Sequence, residues 1–239
     1  MKTDQGSIDS SGEQEFRVRS AVSLAINFLV TNLGQLFVLV LQAFLLGAVA
    51  EFIFSRSELF VGLIYGALFA PVSVAIHRAI VLQEPLDATQ YLPSFRHVRV
   101  WKFLGYGVLF GVAFFLLVAL VSVVAGGAIL ASMNGGFDSS LNVLIIVGLA
   151  IGIYVLIRFA FVWPAIATDQ FRSLRDSGKR MRGMAWRVFG ALLIVSLPII
   201  VLGFLAGLMH PLLQEAVSYL LGSLGTAVLS FAYVSASAE

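Results

Sequence analysis

The sequence predicts an all-α, polytopic integral membrane protein: six transmembrane helices, with amphipathic helices on their cytoplasmic side. Three observations predict it. Hydrophobic residues make up 59% of the 239 and charged residues 12%, with mean hydropathy +0.97; soluble domains average about 45–50% and about 25%. The apolar residues fall into runs long enough for a hydrocarbon core of about 30 Å. Lys and Arg are concentrated in alternate connections between those runs. The absence of Cys excludes disulfides, thiolate metal ligands and Cys nucleophiles.

Residues 1–15 carry Asp4, Asp9, Glu13 and Glu15 among Ser and Gly. That composition is too polar to offset the entropy of ordering, and it is the reverse of a basic-then-apolar secretory signal. A disordered cytoplasmic tail is expected there, with residues 16–239 forming a single membrane domain. Ser20, Ser23, Asn27 and Thr31 recur at helical spacing and predict a surface helix near 16–31. Ala21–Phe54 as one helix would run about 50 Å, too long for one crossing. Asn32-Leu33-Gly34 is therefore the expected break, with the first span at about 34–54.

Glu51, Arg56 and Glu58 mark a short turn into the second span, about 59–82, which holds Pro71 and ends on His77-Arg78 and Gln83-Glu84-Pro85. A polar loop over 83–100 precedes the third span, about 102–131. Asn134-Gly135-Gly136 is a tight-turn signal. The fourth span, about 141–165, contains Arg158 and ends at Trp163-Pro164. A basic loop over 166–186 leads to the fifth, about 188–209; His210-Pro211 separates it from the sixth, about 213–236.

Arg56 is the sole Lys or Arg in the connections between spans 1–2, 3–4 and 5–6. The bias of basic residues toward cytoplasmic loops then places both termini and both basic loops in the cytoplasm. Gly62/Gly66, Gly107/Gly111, Gly148/Gly152 and Gly203/Gly207 have the four-residue spacing that lets helix backbones approach. Arg78 and Arg158 each precede a basic loop, and Trp101-Lys102-Phe103-Leu104-Gly105 and Trp186-Arg187-Val188-Phe189-Gly190 each close one. This echo suggests a pseudo-repeat of three units, each a surface helix followed by a two-span hairpin.

Two groups of residues are candidates for function. Arg158 is followed by five apolar residues before Pro164, so its charge falls near or below the interface, where it is costly. Asp169 lies on its helical face if Pro164 does not rotate the helix, and Glu84 lies seven residues beyond His77. His77, Arg78, Glu84, Arg158 and Asp169 thus form a candidate polar cluster, the alternative being that each anchors a helix end. The second group is the lipid or partner surface made by Arg172, Arg175, Lys179, Arg180, Arg182 and Arg187. Phe171, Leu174, Met181 and Met184 supply an approximately helical apolar stripe to that segment. A basic amphipathic segment beside a span is drawn to anionic headgroups by about 1 kcal/mol per basic residue; ordinary loop-charge bias is the competing explanation. Glu51, Glu58, His210 and Glu215 are placed near the outer interface. No metal-ligand spacing, phosphate-binding loop or nucleophile elbow is present, so no cofactor, metal or catalytic residue is expected.

R-F-A-F-V-W-P-A-I-A-T-D, then S-L-R-D-S and W-R-V-F-G, resembles bacterial six-span membrane proteins similar to the membrane domain attached to some glycerophosphodiester phosphodiesterases. The matching positions are Arg158, Pro164, Asp169, Ser173, Ser177 and Trp186, with H-R-A-I-V-L-Q-E-P as a counterpart one unit earlier. The resemblance implies a bacterial inner-membrane protein. It does not carry over the enzymes' activity, because these 239 residues hold no soluble catalytic domain and no Glu/Asp/His metal site. The expectation is a non-enzymatic protein whose basic cytoplasmic face engages membrane lipids or a membrane or cytoplasmic protein, and no nucleic acid. The alternative is a small transporter or channel with a cytoplasm-facing polar cavity.

Overall fold

A computed structural model describes residues 18–54, 58–132, 148, 150 and 152–237, and these are helical with no strand. The tail 1–15, the Asn134–Gly136 turn, Arg56 and the beginning of the fourth expected span lie outside the described residues. The helices are α1 (Val18–Thr31), α2 (Leu33–Phe54), α3 (Glu58–Val81), α4 (Tyr91–Ser94, preceded by a 3-10 turn over Ala88–Gln90) and α5 (Val98–Ser132). After a helical segment over 152–158 come α6 (Val162–Ala167), α7 (Leu174–Arg180), α8 (Ala185–Met209) and α9 (Pro211–Ser237). Five helices are long and apolar enough to cross a membrane: α2, α3 from Val61, α5 through Leu117, α8, and α9 from Leu212. The chain is a multi-pass membrane protein. The apolar stretch Gly152–Ala167 is shorter, about 24 Å at 1.5 Å per residue.

The breaks have local causes. At Asn32 the Phe28 carbonyl takes two donors, the Asn32 amide at 3.0 Å and its side-chain Nδ2 at 2.9 Å, at the end of α1. His210 ends α8 in an extended conformation, and its Nδ1 accepts from the Leu212 amide at 3.1 Å, capping α9. Pro211 then begins α9, where its missing N–H costs nothing.

α3 and α9 form the centre, flanked by α2, α8, α1 and α6. Val72, Ile76, Ala227, Val228, Ala232 and Tyr233 are buried between them. The outward faces of α5 and α8 remain apolar and exposed, as lipid-facing surfaces are; Phe115 and Phe204 are examples. Lipid tails are as apolar as these side chains, so van der Waals fit and polar contacts hold the helices together.

The expected glycine pairs mark close approaches only in part: a methyl added at Gly152 or Gly207 would strike Leu117 or Gln214. A methyl added at Gly62, Gly66, Gly107, Gly111 or Gly203 would meet open space. At Gly47 it would run into the Tyr65 ring, at Gly152 into Leu117, and at Gly222 it would come within 3.1 Å of Phe69. Aromatic and leucine side chains fill these notches, two of which, at Gly47 and Gly222, lie outside the expected pairs.

Candidate functional site

One end of the bundle gathers the ion pairs found among the described residues. Its pieces are tied by contacts between distant residues. The end of α3 meets the turn after α6 through Arg78, whose NH1 donates to Asp169 Oδ2 at 3.3 Å and to the Ala167 carbonyl at 3.2 Å. The start of α5 joins through Arg99 NH1, 3.0 Å from the same Asp169 oxygen. Arg78 also grips Glu84 with two nitrogens, Nε lying 2.7 Å from Oε2. The start of α2 joins through Gln35, whose Oε1 accepts from the Ala88 amide at 3.3 Å. The end of α9 joins through Tyr233, which donates to Gln170 Oε1 at 2.9 Å and accepts from Arg180 at 2.9 Å.

The connection 83–100, expected to be a polar loop, is a folded cap that ends where α5 begins at Val98. The Asp87 carboxylate accepts from the Thr89 hydroxyl at 2.7 Å and amide at 2.9 Å, which initiates the 3-10 turn. Those bonds hold the Asp87 carboxyl below the ordinary carboxylate range. Tyr91 is 1% exposed and its hydroxyl donates to the Leu68 carbonyl at 2.8 Å. Leu68 lies three residues before Pro71, in the turn that a helical proline disturbs, so the cap supplies a donor there. Burial raises the Tyr91 phenol well above its usual pKa.

The predicted polar cluster divides. Arg78, Glu84 and Asp169 come together, and Arg99, which sequence reasoning missed, completes the group. Arg158 stands apart: its NH1 donates to Tyr154 at 3.1 Å. The helix carrying it is interrupted at 159–161, where Ala160 and Val162 bond back to Ile157 and Phe159 at 2.9 Å. The break therefore precedes Pro164, which sits in the first turn of α6 where no N–H is needed. Arg158 and Asp169 share no helical face. His77 is also separate, buried with Nδ1 2.7 Å from the Ser230 hydroxyl and its ring against Phe103. α3 ends at Val81 and Gln83 has φ 55°, so the chain turns and Glu84 folds back onto Arg78, away from His77.

The basic segment is built as a rigid ledge. Ser173 caps α7: its hydroxyl donates to the Asp176 carboxylate at 2.8 Å and accepts from the Asp176 amide at 3.1 Å. That Ser-x-x-Asp signature was available in the sequence. Met181 and Met184 are buried, as the apolar stripe predicts, and Gly178 lies against Phe159 and Arg158. Burying a methionine side chain stabilises by about 1.5–3 kcal/mol. Gly183, at φ +85°, turns the chain into α8. Arg172, Arg175, Lys179, Arg180, Arg182 and Arg187 are exposed on this ledge. Arg180 is pinned by Tyr233, whose ring lies 5.4 Å below its guanidinium, and by Ser237.

At the opposite end, Tyr65 donates to Glu51 at 2.7 Å and Tyr219 donates to the Tyr65 carbonyl at 2.9 Å, with the two rings 5.8 Å apart. No group of three or more His, Cys, Asp or Glu suited to a metal occurs among the described residues. Comparison with protein-family models finds no match, and none is found among curated proteins or solved structures.

Proposed function

We propose that this is a non-enzymatic bacterial inner-membrane protein whose basic end faces the cytoplasm and engages anionic lipid headgroups, with a membrane or cytoplasmic partner as the other candidate occupant. The carrying observation is the α7 ledge. Its exposed cations Arg172, Arg175, Lys179 and Arg182 make no ion pair among the described residues, yet a buried Met pair and a capped helix hold their backbone firmly. A rigid, uncompensated basic surface at the end of a helix bundle suits a negatively charged sheet of headgroups.

Six crossings with both termini cytoplasmic belong to the same proposal. In this reading the chain leaves the ledge end along α2 and returns with α3, leaves with α5 and returns along the shorter apolar stretch Gly152–Ala167, and leaves with α8 and returns with α9. Three out-and-back passages require an even number of crossings. Each is preceded by a short helix, namely α1, α4 and α7, which supports the three-unit pseudo-repeat. The Arg158, Pro164 and Asp169 order on which the likeness to phosphodiesterase membrane domains rests falls within the second passage.

A transport reading draws on a cavity of about 260 Å³ at this end, lined among others by Arg78, Glu84, Asp87, Tyr91, His97 and Arg99. Its arginines are already paired with carboxylates, and neither His77 nor Arg158 lines it. The lipid reading therefore leads.

The test reconstitutes the protein into vesicles mixing phosphatidylcholine and phosphatidylglycerol, then identifies co-purifying lipid by native mass spectrometry. The wild type should retain phosphatidylglycerol in excess of its share. Changing Arg172, Arg175, Lys179, Arg180, Arg182 and Arg187 to Gln should remove the excess. Unchanged retention in that variant would sink the proposal.

A further inference from the structure

We propose that a crevice between α7 and the end of α9 binds a phosphate group, carried either by a lipid headgroup or by a soluble phosphate ester. This inference rests on the basic-face reading and narrows it to one place. The crevice holds about 250 Å³. Its polar lining includes Arg172, Lys179, Arg180, Asp176, Gln170 and Tyr233, with Ser173 and Ser177 beside them.

Charge comes first. Arg172, Lys179 and Arg180 line the crevice against a single carboxylate, Asp176, leaving a net charge of +2. That carboxylate is engaged by the Ser173 hydroxyl and amide-capping arrangement, not by any of the three cations. Among the described residues none of the three forms an ion pair, whereas at the neighbouring Arg78 and Arg99 the protein supplies its own carboxylates. In this crevice three cations converge without an ion-paired carboxylate among the described residues.

Pre-organisation comes second. Arg180 is held by two neutral acceptors, the Tyr233 hydroxyl at 2.9 Å and Ser237 at 3.3 Å, and by the Tyr233 ring. These contacts fix the guanidinium without neutralising it, and its remaining N–H groups can meet an anion. A fixed guanidinium matches phosphate oxygens with two parallel bonds, a geometry an ammonium cannot offer. Tyr233 donates in turn to Gln170 Oε1 at 2.9 Å, so the Gln170 amide nitrogen is left as an uncommitted donor on the same wall. A planar cation held in place, an exposed lysine and arginine, and an amide donor together form a receptor for a tetrahedral oxyanion.

The test uses the full chain in detergent with a fluorescent phosphatidic acid as probe, displaced by unlabelled phosphatidic acid, glycerol 3-phosphate or inorganic phosphate at constant ionic strength. Saturable binding is expected. R172Q/K179Q, whose side chains are exposed, should weaken it by about tenfold or more, converted from roughly 1.4 kcal/mol. R175Q/R182Q removes the same charge outside the crevice and should weaken it by about twofold or less. R180K retains the charge but loses the fork, and should weaken binding severalfold. Displacement by glycerol 3-phosphate or inorganic phosphate assigns the site to soluble phosphates, and displacement by phosphatidic acid alone assigns it to lipid. Equal losses in the two double variants overturn the crevice while leaving the basic-face reading intact. No saturable binding by the wild type, together with no phosphatidylglycerol retention, overturns both.

Discussion

Arg78 and Asp169 stand 91 residues apart in the chain and meet at 3.3 Å, and Arg99 reaches the same Asp169 oxygen at 3.0 Å. One carboxylate thus fastens three segments: the end of α3, the start of α5 and the turn that leads to the basic ledge. Asp169 is exposed, so each pair contributes about 0–1 kcal/mol. D169N should cost about 1 kcal/mol and lower the melting temperature by a few degrees, less so at high salt. A double-mutant cycle with R99Q should show coupling, and a cycle with R158Q should show none. Coupling to Arg158 would contradict the separation of these two residues.

Tyr91 anchors the cap over the disturbed turn of α3. Replacing it with Phe keeps the ring against Phe95 but leaves the Leu68 carbonyl without that donor. The expected loss is about 1–2 kcal/mol, read by thermal unfolding in detergent. A loss no larger than that of an exposed control such as L92A would show that water replaces the hydroxyl.

Two glycines should respond oppositely to alanine. At Gly47 the added methyl strikes the Tyr65 ring, and overpacking should cost about 1–3 kcal/mol. At Gly178 the nearest atom is Phe159 Cε1 at 3.4 Å, an ordinary contact, and a helical glycine is itself unfavourable by about 1 kcal/mol. G178A should leave stability unchanged or raise it. Comparable losses at both positions would contradict the packing described for α7.

Gln83 terminates α3 with φ 55°, a conformation that costs residues with a Cβ about 1–2 kcal/mol. Glycine adopts it freely but loses more backbone entropy on folding. Q83G should therefore stabilise by up to about 1 kcal/mol, and a lower melting temperature would show that the Gln83 side chain matters more than its backbone.

Helix positions were legible because composition and run length set them: Asn32, His210-Pro211 and Gly183 all break the chain where local chemistry demands. The Met181/Met184 stripe was legible for the same reason, since periodicity records which face is buried. The polar cluster was legible only in part. Arg78 and Glu84 are six residues apart, but nothing local tells Arg99 to choose Asp169 across 70 residues. Arg158 was misassigned because its helix was extrapolated through 159–161, where the hydrogen-bond pattern shortens. The glycine spacings were informative only at Gly152 and Gly207 for a related reason: spacing shows which residues share a face, not whether a neighbour such as Tyr65 occupies it.

Single-cysteine labelling tests the central claim most directly, and the chain's lack of native Cys makes it clean. R182C on the ledge and S237C at the end of α9 should react with a membrane-impermeant maleimide only after the cells are opened. M209C, at the far end of α8, should react in intact cells. Labelling of R182C from outside, or of R182C and S237C from opposite sides, would contradict a basic ledge facing the cytoplasm.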